Sequence, residues 1–380
     1  MKHPRQPSVL LVDDDSYILA GLKRAFPRRW GVFTATSATE AIDILDDNSI
    51  DYLITDMKMP GMSGGELLAH TATKHPGTVR FALSGYISEE LITEALPFVH
   101  QIFAKPYESH RIIDTIETLH QAASQLFSAA CITSMNGISF LPILPDTYEI
   151  LSRTQVSIEE LEKICQTDPG LGIKLLQLAN TPYFNARGQV AEIPKAVRKL
   201  DKNILFKWLE LIIKNTEPVE ASLQPFFEYL LKFKATAEKI REIMFNDQLD
   251  PSVVTTSVLV SEVGLYFLWY NSPCWQADCL PENIAKSVLS APLELNHPTI
   301  SSYLCKLWNL PIGLAEAAIY HTAPWKLTAS RRALVLCLYL AEGVTRHTLN
   351  SNLAPDTFFE FEKLRQIGIA RSEVLQLLEV

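Results

Sequence analysis

The sequence predicts an α/β unit built on a parallel, doubly wound sheet, followed by an all-helical unit. Three observations predict this. Short apolar runs end in chemically active side chains: Val9 to Val12 before Asp13, Leu53 to Thr55 before Asp56, and Ile102 to Ala104 before Lys105. Such runs suit strands buried on both faces of a parallel sheet. They alternate with segments whose apolar residues recur at helical spacing, which gives strands joined by crossover helices. From Phe140 onward the alternation stops, and only helical periodicity and helix-start signals remain. The expected boundaries are 6–123 for the α/β unit, 124–139 for a linker, 140–345 for the helical unit and 346–380 for a helical extension.

In the first unit, Val9 to Val12 is the first strand. A helix over about Ser16 to Phe26 follows, with Ile18, Leu19, Leu22 and Phe26 on one face. Val32 to Ala35 is the second strand, and Ser37 or Thr39 caps a helix carrying Ala41, Ile42 and Leu45. Tyr52 to Thr55 is the third strand. Gly61, Gly64 and Gly65 read as the loop after Asp56, with a helix starting at Glu66 to His70. Two further strand–helix units lead through Val79 to Ser84 and Ile102 to Ala104, and end in a helix over about Glu108 to Ala123.

In open sheets of this kind, ligands bind beyond the carboxyl ends of the strands. Asp13, Asp14 and Asp56 therefore meet at one edge, with Ser84 and Lys105 on neighbouring strand ends. Crowded carboxylates repel one another, and Mg²⁺ relieves this because it takes oxygen ligands and keeps several waters. The set fits phosphoryl transfer to a carboxylate. Asp56 is the expected nucleophile, the metal and Lys105 neutralise phosphoryl oxygens, and Ser84 donates a hydrogen bond. Asp15 reads as a helix-capping or solvated carboxylate.

The order acid pair, lone Asp, Ser, Lys-Pro resembles the receiver domain of two-component response regulators, a flavodoxin-like fold. The resemblance implies Asp14 and Asp56 as direct Mg²⁺ ligands, Asp13 acting through water, and Lys58 supplying a backbone carbonyl. It also implies a cis Lys105-Pro106 bond and a histidine kinase as phosphodonor. Receivers often carry an aromatic switch residue three positions before the Lys; here that position is Ile102.

The second unit opens with Leu141-Pro142-Ile143-Leu144-Pro145. Ser157 and Glu160 have capping-box spacing. Asp168-Pro169 is an N-cap acid followed by Pro at the first helical position. With Leu178-Ala179-Asn180, the helix after Ile193, His297-Pro298, Trp308-Asn309-Leu310-Pro311 and Ile319-Tyr320-His321, these signals resemble the HDOD domain over about 134–345. That is a helical output module related to HD-type phosphohydrolases, and the family is generally taken to lack their activity. Where such enzymes carry a His-Asp pair, this chain has Ser261-Glu262, and beyond residue 120 only His297, His321 and His347 remain. Metal-assisted hydrolysis needs a metal-activated water, so the expectation is no enzyme, with the histidines in packing or helix-end roles. The rival reading is a receiver-regulated HD-type phosphohydrolase or cyclic-nucleotide-binding module.

Composition limits the rest. The chain has 380 residues, 47% hydrophobic and 20% charged, enough for two or three domains with real cores. A formal net charge of −9 argues against nonspecific nucleic-acid binding. The basic clusters Lys195 to Lys202 and Lys232 to Arg241 are mixed with acids and read as solvated helix faces. The aromatic cluster Tyr266, Phe267, Trp269, Tyr270 and Trp275 reads as core. No leader is evident, and the apolar stretch Val258 to Tyr270 reads as too short to span a bilayer, so a cytoplasmic protein without membrane contact is expected. Six scattered cysteines read as reduced thiols. The expected output partner is an unidentified downstream signalling protein, and the sequence leaves a homodimer open.

Overall fold

The structure is a computed structural model. It describes residues 6–85, 95–138, 141–152, 156–181, 184, 188–215, 224–271 and 297–379.

Five parallel strands form one sheet in the order β2-β1-β3-β4-β5: β1 Ser8–Val12, β2 Gly31–Ala35, β3 Tyr52–Asp56, β4 Val79–Ser84 and β5 Gln101–Ala104. This is the flavodoxin-type order, whose switch point lies between β1 and β3. Every residue of β1, β3 and β4 is buried, as expected of strands covered on both faces. The crossover helices are α1 Ser16–Ala25, α2 Ala38–Asp47 and α3 Gly64–Lys74, and α4 Ser109–Leu126 closes the unit. Asp15 caps α1 by accepting from Tyr17 N, and Ser37 caps α2 by accepting from Glu40 N. The helix expected after Ser84 falls on 86–94, outside the described residues.

One boundary differs from expectation. Gly64 and Gly65 form the first turn of α3 and are not loop. Ser63 and Glu66 make a complete capping box, which holds the turn despite the two glycines. Gly64 is required there: a Cβ would stand 2.0 Å from the Asp56 carbonyl oxygen.

The segment 124–139 is largely helical, with α5 at Ala129–Gly137. The helical unit then comprises α6 Pro145–Leu151, α7 Ile158–Cys165, α8 Pro169–Ala179, α9 Ile193–Lys199, α10 Lys202–Asn215, α11 Gln224–Met244, α12 Pro251–Ser261, α13 Val263–Asn271, α14 His297–Leu307, α15 Ile312–Tyr320 and α16 Ala329–Leu349. Asp168 caps α8 through Leu171 N at 3.0 Å and also accepts from Leu144 N at 2.7 Å, tying the Leu-Pro segment to that helix. Ser157 accepts from Glu160 N, the forward half of the expected box. Two short helices, α17 Phe361–Gln366 and α18 Arg371–Leu377, make up the C-terminal extension, where Phe359, Leu364 and Val374 are buried.

Two expectations need correction. Arg241 is 7% exposed and hydrogen-bonds Asn246 Oδ1, so it is not part of a solvated face. The apolar stretch is longer than expected: Pro251–Leu268 is apolar enough and, at 18 residues, long enough to cross a membrane. It is 83% buried among the other helices, the burial of a core helix pair. Tyr266 and Phe267 lie in that core; the side chains of Trp269, Tyr270 and Trp275 fall outside the described residues. Cys131, Cys165, Cys305 and Cys337 are free thiols, and Cys274 and Cys279 lie outside the described residues.

Candidate functional site at the carboxyl edge of the sheet

The strand register sets the site. Parallel pairing places Asp56 beside Leu83 and Ser84 beside Ala104, so the ends of β3, β4 and β5 lie level. Asp13 follows β1 directly and is 1% exposed. Lys105 follows β5, and its Nζ lies 2.8 Å from Asp13 Oδ2 and 2.8 Å from Asp56 Oδ1. One ammonium thus bridges two carboxylates from different strands. Burial alone disfavours that ammonium, but the hydrogen bonds and charges of Asp13 and Asp56 outweigh it and hold its pKa above the usual lysine value.

The remaining carboxylate oxygens are fixed by main-chain donors. Asp13 Oδ1 accepts from Asp15 N at 2.9 Å, and Asp56 Oδ2 accepts from Lys58 N at 3.2 Å. Asp14 is exposed beside them. Ser84 is 8% exposed, and its carbonyl accepts from Lys105 N at 2.7 Å. The Lys105-Pro106 peptide is cis. Ile102, at the position of the usual aromatic switch, is buried. The edge therefore joins Asp13, Asp56 and Lys105 directly, with Asp14, Lys58 and Ser84 adjacent. Its acids and carbonyls are hard oxygen donors suited to Mg²⁺, and the bridging ammonium shows that the edge already accommodates positive charge.

The sequence reading missed the surface through which this unit meets the helices. Gln101, at the start of β5, donates from Nε2 to Lys306 O at 2.8 Å and Leu307 O at 3.3 Å, at the end of α14. Gln177 of α8 donates in return to His100 O at 2.7 Å. Tyr303 of α14 donates to Asn136 Oδ1 at 2.8 Å. Arg80, fully buried in β4, reaches Phe98 O at 2.7 Å, Thr78 O at 2.8 Å and Asn136 O at 3.4 Å. An arginine inside an apolar strand run was the available signal, since a buried guanidinium needs several acceptors.

Known proteins match both halves. The profile of the response regulator receiver domain matches residues 9–117, and that of the HDOD domain matches 141–324. The hydrogenase transcriptional regulatory protein HoxA of Cupriavidus necator is 31% identical over 120 residues, which is 31% of this chain and 25% of that protein. Sporulation initiation phosphotransferase F of Bacillus subtilis is 28% identical over 113 residues, 29% of this chain and 90% of that protein. The chain thus spans about a quarter of the length of the hydrogenase regulators it matches. Among solved structures, the MmoQ response regulator of Methylococcus capsulatus is 19% identical, with 62% of this chain and 97% of that chain covered at a TM-score of 0.46. On the two profile matches, the chain belongs to the two-component response regulators and consists of a receiver domain followed by an HDOD domain.

Proposed function

We propose that Asp56 accepts a phosphoryl group from a histidine kinase, and that the HDOD domain passes the change on by binding a downstream signalling protein without catalysis of its own. The observation that carries this reading is the Lys105 ammonium held 2.8 Å from both Asp13 and Asp56. An Asp56 oxygen attacks the phosphorus of a phosphohistidine, the P–N bond breaks, and the imidazole leaves. In this reading Lys105, and Ser84 at the end of β4, stabilise the charge of the transferred oxygens. Asp13, Asp14, Asp56 and the Lys58 carbonyl would hold Mg²⁺, which supplies further neutralisation of those oxygens. Phosphorylation adds a charge of about −1.5 to −2, and Lys105 exchanges an Asp56 contact for a phosphoryl contact. Gln101 opens the strand that Lys105 directly follows, which supports transmission into α14.

The test uses a small acyl phosphate as donor with Mg²⁺. Mass spectrometry of the full chain is expected to place one phosphoryl group on Asp56, and Asp56→Ala is expected to take none. A phosphoryl group that persists on the Asp56→Ala chain, or no labelling of wild type, refutes the assignment. Beryllofluoride with Mg²⁺ then compares binding partners of wild type and Asp56→Ala; identical partners in both refute output gated by Asp56.

A further inference from the structure

Four acid and imidazole groups distant in sequence converge inside the HDOD domain. Glu262 is the residue at the C-terminal end of α12, His297 opens α14, His321 ends α15, and Glu342 lies within α16. Each offers one ligand atom, and all four atoms lie within 4.8 Å of one another. The residues are 0–5% exposed.

His321 Nδ1 lies 2.7 Å from the Ala318 carbonyl, which can only accept. That bond places the His321 proton on Nδ1 and leaves Nε2 as a bare lone pair facing the cluster, the arrangement that orients metal-binding histidines. His297 Nε2 stands 3.1 Å from it. Glu262 Oε1 is 3.6 Å from His321 Nε2 and 4.0 Å from His297 Nε2, and Glu342 Oε2 is 3.8 Å from His321 Nε2. For metal–ligand bonds of about 2.0–2.2 Å, the edges of a tetrahedron are about 3.3–3.6 Å. The observed separations bracket that edge.

Both acids lack full hydrogen bonding, and Glu342 Oε1 has the Arg346 cation beside it. Glu262 is fully buried, and neither of its oxygens has a hydrogen-bond partner among the described residues. An unsatisfied buried carboxyl is destabilising. The backbone holds it there nonetheless. A Cβ at Gly264 would stand 2.1 Å from the His297 carbonyl oxygen, so only glycine lets α13 approach α14 this closely. Ser301 locks the junction, accepting from Gly264 N at 2.7 Å and donating to Ser261 O at 2.7 Å.

We propose that Glu262, His297, His321 and Glu342 form a closed site for one divalent transition-metal ion of the zinc type, which ties four helices of the HDOD core together. Mixed imidazole and carboxylate donors select such ions over Mg²⁺. Four protein ligands, all buried, leave no open coordination position, which is the pattern of a structural site and not of a hydrolytic one.

The experiment uses the full chain after chelation and dialysis, with Co²⁺ added in the presence of excess Mg²⁺ to occupy the receiver edge. Wild type is expected to bind one Co²⁺ with the visible absorption of four-coordinate cobalt, bleached when Zn²⁺ displaces it. Asp56→Asn should bind equally, whereas His297→Gln and His321→Gln should lose the bands. Because those two also remove buried packing from the core, Glu262→Gln decides. It keeps the volume, suits burial as a neutral amide, and should bind at least about tenfold more weakly. Zn²⁺ should raise the Tm of wild type and not of Glu262→Gln. Wild type that is folded and shows no cobalt bands, binding that Glu262→Gln leaves intact, or binding lost with Asp56→Asn each overturns the proposal.

Discussion

Lys174 offers a quantitative test of the contact between the two domains. It lies on α8, one turn before Gln177, and is 4% exposed. Burial, and then the Arg80 guanidinium, push its ammonium down from 10.5 to about 7. Between these values the unfolded chain holds a proton that the folded chain has released. Stability therefore rises with pH over this window. The cost of Lys174 is present in full below about pH 7 and is gone above about pH 10.5. A difference of about 3.5 pKa units sets a ceiling of about 5 kcal/mol. Lys174→Met keeps the stem and removes the charge, so its gain is bounded by that ceiling. The variant is expected to be more stable than wild type at pH 6, by at most about 5 kcal/mol. The gain should lose about two-fifths of its size by pH 8.5, since the ceiling itself falls by about 2 kcal/mol. Urea unfolding followed by far-UV circular dichroism at both pH values measures this double difference. Parallel stability profiles for wild type and Lys174→Met would refute the argument, because they would mean an ammonium that titrates as in water.

Two further substitutions probe the route from site to output. Gly64→Ala places a Cβ 2.0 Å from Asp56 O and 2.9 Å from Met57 Cα, so the loop after β3 must shift. Overpacking of this kind costs about 1–3 kcal/mol, and the rate of Asp56 phosphorylation by an acyl phosphate should fall; an unchanged rate means that the loop position is irrelevant to the chemistry. Gln101→Ala removes the donor to Lys306 O and Leu307 O at a cost of about 1 kcal/mol. It should leave phosphorylation intact while abolishing the change in hydrogen exchange of α14 on treatment with beryllofluoride, and a preserved exchange response would remove β5 from the route.

Local chemistry made the receiver legible. A buried parallel strand must be apolar along its length, so the polar residue at its end marks the functional edge, and Asp13, Asp56, Ser84 and Lys105 stood out individually. The start of α3 was misread because glycine is a poor helix former. The Ser63–Glu66 box two positions away was the stronger signal. The cluster in the HDOD domain was not legible as a set. Its members come from four helices and share no spacing, and His297 and His321 each had an adequate packing explanation. Glu342 carried a usable signal: it sits in the run Leu340-Ala341-Glu342-Gly343, where every position is buried. An acid in a fully buried helical run requires a partner. The domain contact had a similar trace in Arg80, but the carbonyls that satisfy it come from three separate segments and only the fold assembles them.

The helix α14 joins the two buried features. At its last turn Lys306 O accepts from Asn309 N, and Gln101 of the receiver donates to both Lys306 O and Leu307 O. Its first residue, His297, belongs to the His–Glu cluster. Eleven residues at about 1.5 Å each make a rod of about 16 Å. Tyr303 is buried along it and bonded to Asn136, so the rod cannot slide without breaking a buried hydrogen bond. Lys105 lies four residues from Gln101, across a strand whose hydrogen bonds to β4 resist stretching. A displacement of β5 would therefore reach the receiver end of α14, while the opposite end is held at the His–Glu cluster. Motion under those constraints would be a tilt about that cluster. The metal site proposed above would then supply the fixed point against which a small shift in the receiver becomes a change in the helical surface.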